Sequence, residues 1–147
     1  MPEYLEYIKC DPDFKYRTMN AIVLDAPELK DHQVETHDIL LKNGKLYINK
    51  FKYWNGTSGP TIDTTRSKVP SLGHDCLCEL IELSLLPTNC LPVADEIFHR
   101  LCKECGVRWY KTRIWFRGLK CFSWIVVKPK KLRILKAPLP KGDDCGK

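Results

Sequence analysis

Asn43-Gly44 lies between two runs in which apolar and polar residues alternate, and this feature constrains the fold more than any other in the chain. A two-residue reversal between twisted strands needs positive φ at both positions, which Asn and Gly tolerate best. The pattern predicts an antiparallel hairpin with strands over residues 34–41 and 45–54, in which Leu46, Ile48, Phe51 and Tyr53 alternate with polar residues. Upstream, the first 33 residues contain one convincing strand, over residues 20–24.

Past Trp54 the periodicity changes. Residues 55–68 are turn formers, and Pro70 with Ser71 opens a helix to about residue 83, with Leu72, Cys76, Leu77, Leu80 and Ile81 at helical spacing. A second helix starts at Asn89 or Cys90 with Pro92, carries Ala94, Ile97, Phe98, Leu101 and Cys105 as an apolar stripe, and ends at Gly106. Residues 108–117 read as a third helix, and the last residues, with Pro129, Pro138, Pro140 and Gly142, as an extended tail. The expected class is α+β, with N-terminal antiparallel strands and a hairpin followed by two or three packed helices. Residues 1–127 are expected to form a single globular domain, and residues 128–147 a basic, proline-containing tail.

A chain of 147 residues can bury a core without metal or disulfide staples. It has no apolar run near the roughly 20 residues that span a bilayer, so no transmembrane segment is expected. Glu3, Glu6, Asp11 and Asp13 are unlike a secretory signal and predict a cytoplasmic or virion-associated protein. The eight cysteines are therefore read as mostly reduced thiols. Cys76, Cys78, Cys102 and Cys105 have the spacing for zinc thiolates, yet both pairs fall in helical stretches, where small buried hydrophobes are the commoner use.

Charge divides the chain. Residues 1–106 hold 12 Lys and Arg against 16 Asp and Glu, net −4, and residues 107–147 hold 12 against 2, net +10. No acid occurs over residues 107–136, where Trp109, Tyr110, Trp115, Phe116, Phe122 and Trp124 are interleaved with Arg108, Lys111, Arg113, Arg117 and Lys120. Such a mixture suits an anionic membrane surface or a nucleic acid. A cationic face on an amphipathic core element explains it equally well.

Chemistry gathers between Trp54 and His99. His74 and Asp75 sit early in a helix apolar enough to be buried, and a buried charge needs a partner. Successive helical residues diverge by about 100°, so if His74 faces the second helix, Asp75 turns toward another neighbour, the glycine-rich loop at 55–60 being one. Asp95 is the acid nearest the apolar stripe of the second helix. A His held by one carboxylate, beside a second carboxylate facing free backbone carbonyls, combines a water-activating base with a hard-cation site. The alternative is a buried polar network that fixes helix packing without catalysis. His99, one turn after Asp95, is either a second ligand or solvated; His32 and His37 fit surface positions. Asn55 and Ser58 suit tight turns, and Asp63 caps that loop or binds a cation.

Three motifs occur in order: Trp54-Asn-Gly-Thr-Ser-Gly-Pro60, His74-Asp-Cys-Leu-Cys78, and Ala94-Asp-Glu-Ile-Phe98 followed by Cys105-Gly106-Val107. Together, over about residues 34–120, they resemble the phage-associated family named domain of unknown function 1353. Its D-G-x-S-x-P loop precedes an H-D-x-L-Y helix and an A-D-x-x-F helix. Asn55 stands where that family usually has Asp, and Cys78 where it has Tyr. The resemblance implies a fold and a viral or bacterial setting.

A looser similarity links the chain to phospholipases of the A-two type, notably the lipase domain of parvovirus capsids. It implies a calcium-dependent ester hydrolase acting on lipid, with His74 as general base and Asp95 orienting it. Asp75 would hold calcium with Asn55, Thr57 and Gly59 of the loop. The spacings, 19 residues from Asn55 to His74 and 21 from His74 to Asp95, are similar to those of the viral lipase. The loop lacks the lipase glycine pattern, and Cys78 does not replace the Tyr hydroxyl. The competing expectation is a non-enzymatic, virion-associated or accessory protein that binds nucleic acid or another protein, virion proteins among the candidates, through Arg108, Lys111, Arg113, Arg117 and Lys120.

Overall fold

The computed structural model describes residues 3–10, 16–54 and 65–107. Within them the Asn43-Gly44 turn forms as the sequence predicts, with φ of 52° and 70°. It joins β5 (Ile39–Lys42) to β6 (Lys45–Ile48) in register Leu41↔Leu46. On the other side of β6 lies β3 (Ile22–Asp25), paired Leu24↔Leu46.

Two parts of the predicted hairpin differ. Residues 34–41 are not one strand: β4 (Val34–Glu35) folds back on β5, pairing Val34↔Leu41. Asp38 accepts a 3.0 Å bond from the Thr36 hydroxyl, which in turn accepts from the Ile39 N–H at 3.0 Å, so a side chain stabilises the reversal. Nor is the second strand continuous. It breaks after Ile48, and β7 (Tyr53–Trp54) joins a separate antiparallel sheet with β2 (Tyr16–Thr18) and β1 (Tyr7–Lys9), in the order β1-β2-β7. The other sheet runs β3-β6-β5-β4.

Thr18 makes that switch. Its hydroxyl donates to the Asn49 carbonyl at 3.1 Å and accepts from the Lys52 N–H at 2.9 Å, while its carbonyl takes the Phe51 N–H at 2.7 Å. Phe51 is thereby held at φ 69°, a region costly for an aromatic residue. Across the break the inward positions are Leu46, Ile48, Lys52 and Trp54, all buried. Phe51 and Tyr53, on the opposite phase from Leu46 and Ile48, are 48% and 42% exposed. The single strand expected in the first 33 residues is corrected: the described residues of that stretch form three, β1, β2 and β3. Strands of three residues carry too little pattern to stand out locally, and β2 is secured by β7, far along the chain.

The helical pair follows. A 3-10 turn (Thr65–Ser67) leads into α1 (Lys68–Glu82), two residues earlier than Pro70 suggests. Proline is tolerated in a first turn, where N–H groups have no intrahelical acceptor. A second turn (Thr88–Cys90) leads into α2 (Leu91–Glu104), with Pro92 near its start and Gly106 at φ 75° just past its end. Leu72, Cys76, Leu77, Leu80 and Ile81 of α1 and Leu91, Ala94, Ile97 and Leu101 of α2 share one core with Ile22, Ile39, Leu41, Leu46 and Ile48 of the larger sheet. Each fully buried Leu or Ile contributes about 2 kcal/mol. Gly73 lets the layers approach, since a Cβ there would lie 2.9 Å from a Leu24 methyl and 3.3 Å from one of Leu101. The architecture is α+β. No described helix is long and apolar enough to cross a membrane.

Candidate active site

His74 and Asp95 meet where α1 crosses α2. His74 lies in the second turn of α1 and Asp95 in the second turn of α2, both buried, at 8% and 2% exposure. His74 Nε2 and Asp95 Oδ1 are 2.7 Å apart, the separation of a charge-assisted hydrogen bond. One helical turn past Asp95, Phe98 sets its ring against the imidazole at 5.4 Å between centroids and 64° between planes, which limits the ring's rotation. Helix α2 thus supplies both an acceptor and a wall.

Cys78 completes the group from one turn further along α1, where residues four apart are neighbours. Its Sγ lies 3.7 Å from His74 Nδ1 and 3.8 Å from Nε2. Burial acts to lower the His74 pKa, but the charge of Cys78, together with the hydrogen bond and charge of Asp95, outweighs it and pushes the value up to about 10. With Nε2 committed to Asp95, Nδ1 is the nitrogen left for proton transfer.

Asp75 is partly buried, and its charge helps raise the Cys76 thiol, whose pKa is driven well up chiefly by complete burial. The other calcium candidates, Asn55, Thr57 and Gly59, lie outside the described residues, as do Ser58, Asp63 and the basic positions Arg108, Lys111, Arg113, Arg117 and Lys120. The tail over 128–147 and the third helix expected over 108–117 lie there too. Among the described residues, no group of three or more His, Cys, Asp or Glu side chains is placed to hold a metal ion. His99 is partly buried, its pKa lowered by burial and by the charge of Lys103. His37 is exposed beside Asp38, and His32 lies 3.7 Å from the Cys90 sulfur.

The six described cysteines are free thiols. Cys76 and Cys102 are fully buried in helix-facing positions, where Cys102 is pushed up to about 12, first by burial and then by the charge of Cys105.

A second charged cluster escaped the sequence reading. The Lys52 ammonium is buried between the sheets and α1, 2.9 Å from Asp38 Oδ2 and bonded also to Glu79. Burial opposes its charge, but the hydrogen bonds it donates to both carboxylates raise its pKa overall. The signal was present: Lys52 sits on the same alternating phase as Leu46, Ile48 and Trp54. Trp54 in turn donates from Nε1 to Ser71 Oγ at 3.1 Å, tying the smaller sheet to the start of α1. Cys78, a zinc-spaced thiol and a departure from a tyrosine motif in the sequence, carried a further signal in its four-residue spacing from His74. No protein-family model matches the chain, and no curated protein or solved structure matches it.

Proposed function

We propose that the protein is a small hydrolase of viral or bacterial setting that cleaves an ester, with His74 as the proton-transferring base and Asp95 as the group that orients it. The observation that carries this is the 2.7 Å bond between His74 Nε2 and Asp95 Oδ1, buried between two helices. A carboxylate on one imidazole nitrogen fixes the ring, stabilises its imidazolium form, and leaves the opposite nitrogen for the reacting group. The requirement for a rigid scaffold is met as well, because both residues stand on helices whose other faces lie in the core.

Phospholipid as substrate, and calcium held by Asp75 with Asn55, Thr57 and Gly59, extend this proposal on the strength of the motif resemblance. Of that set the described residues supply Asp75 alone, which is no cation site by itself, so no step is routed through a metal.

Hydrolysis of p-nitrophenyl butyrate and of anionic phospholipid vesicles, with and without calcium, tests the proposal. Turnover by the wild type that is lost in His74→Gln and Asp95→Asn supports it, and calcium stimulation lost in Asp75→Asn supports the cation. A wild type inert toward both substrates overturns the ester reading.

A second reading, a non-enzymatic accessory protein that binds nucleic acid or virion proteins, is favoured by the net charge of +10 over residues 107–147. A cationic-aromatic group of the described part is of the same kind: the half-buried Arg17 places its guanidinium 4.9 Å from the ring centre of exposed Phe51 and 5.7 Å from that of exposed Tyr53. Its mark is binding that falls steeply with salt in a protein without esterase activity.

A further inference from the structure

We infer that Cys78 is the nucleophile of this site, so that cleavage passes through an S-acyl intermediate on Cys78 with His74 and Asp95 as its proton relay. The inference rests on the ester-hydrolase reading and names the group that attacks.

Three observations lead to it. Geometry comes first: Asp95 occupies Nε2 of the imidazole, and the Cys78 sulfur lies 3.7 Å from Nδ1, so the three side chains follow in the order sulfur, imidazole, carboxylate. The sulfur is almost as close to Nε2, at 3.8 Å. Catalytic hydrogen bonds are often long before substrate arrives.

Access comes second. His74 and Asp95 are enclosed, whereas Cys78 is only partly buried. Of the three residues, Cys78 is the most exposed to solvent, so it is the one an ester meets first.

Selectivity among the thiols comes third. Cys76 and Cys102 are fully enclosed. Cys90 has a histidine, His32, 3.7 Å from its sulfur, but among the described residues that ring makes no bond to a carboxylate. Of the described cysteines, Cys78 alone combines access with an oriented imidazole.

The chemistry balances without a redox partner. With the thiol proton on Nδ1, the sulfur electron pair forms an S–C bond to the ester carbonyl carbon and the carbonyl π pair moves to oxygen. Collapse restores the C=O and breaks the C–O bond, and the departing alkoxide takes the proton from Nδ1. Water then adds to the thioester carbonyl, giving a proton to Nδ1; collapse breaks the C–S bond and releases the acid. One ester and one water are consumed, and one acid and one alcohol are formed.

The test uses the full chain with p-nitrophenyl acetate, acid quenching and peptide mass spectrometry, alongside the rate of iodoacetamide alkylation at each cysteine. We expect a stoichiometric burst of nitrophenolate and an acetyl group on the Cys78 peptide. Burst and turnover should vanish in Cys78→Ala and Cys78→Ser with melting temperature little changed, and persist in Cys90→Ala. Alkylation of Cys78 should slow about tenfold or more in His74→Gln, because the imidazole no longer supports the thiolate. Turnover that survives in Cys78→Ala but is lost in His74→Gln overturns the thiol nucleophile and leaves the ester hydrolase standing. Rapid, His74-dependent alkylation of Cys78 in a protein that turns over no ester supports the activated thiol and overturns the ester reading. Alkylation of Cys78 no faster in the wild type than in His74→Gln, with no acetyl adduct, overturns the inference.

Discussion

Asp95 accepts its short hydrogen bond from His74 across the α1/α2 interface, and both side chains are shielded from solvent, at 3% and 10% exposure. The bond therefore acts on the packing of the helices as well as on the imidazole. Asp95→Ala leaves a buried imidazolium without its acceptor and is expected to destabilise the fold by about 3–5 kcal/mol. His74→Gln keeps an amide donor within reach of the carboxylate and should cost less than Asp95→Ala. Urea denaturation of the two variants checks the difference. Equal, negligible losses would show that the pair contributes nothing to packing.

The same bond sets a pH dependence. The folded-state value of His74, about 10, lies above its unfolded value of 6.5. The folded state therefore holds the proton more tightly, and this stabilisation is fully present below pH 6.5 and is lost as pH rises toward 10. The groups facing the ring are Cys78 from α1 and Asp95 from α2. The melting temperature of the wild type should fall across that window relative to His74→Gln. Parallel curves for the two proteins would rule out the raised value.

Lys52 is the larger structural commitment. Its ammonium is buried with Asp38 and Glu79, so Lys52→Met removes one charge and strands two. A loss of about 3 kcal/mol is expected, since breaking a buried pair costs more than replacing it whole. Glu79→Gln, at the more exposed partner, should cost less. Thermal melts of both variants decide whether the cluster secures the sheet to α1.

At the β5/β6 turn, Gly44 has φ 70°, and a Cβ there would stand 3.1 Å from the Pro27 Cα. Gly44→Ala should destabilise by about 1 kcal/mol or more through strain and crowding together. Denaturant titration is the check, and a neutral result would show that Pro27 moves aside.

Local chemistry made part of this protein readable from its residues. Asn43-Gly44 located the β5/β6 reversal because a two-residue turn makes demands that few residue pairs meet. The 3.6-residue spacing of Leu72, Cys76 and Leu80, and of Ala94, Ile97 and Leu101, marked α1 and α2 because one face of each must leave water. The four-residue spacing of His74 and Cys78 lay equally open to reading. Tertiary structure decided what depends on distant partners. Thr18 ends β6 and starts β7 through bonds to Asn49, Phe51 and Lys52, so the alternating run from 45 to 54 was shared between two sheets rather than kept in one. Phe51 was thereby turned outward and Lys52 inward, because the core had a buried place for the ammonium between Asp38 and Glu79. The distance between His74 and Asp95 was likewise set by how α1 and α2 cross, since spacing along a chain states which residues a helix face presents and not which face of another helix will meet it.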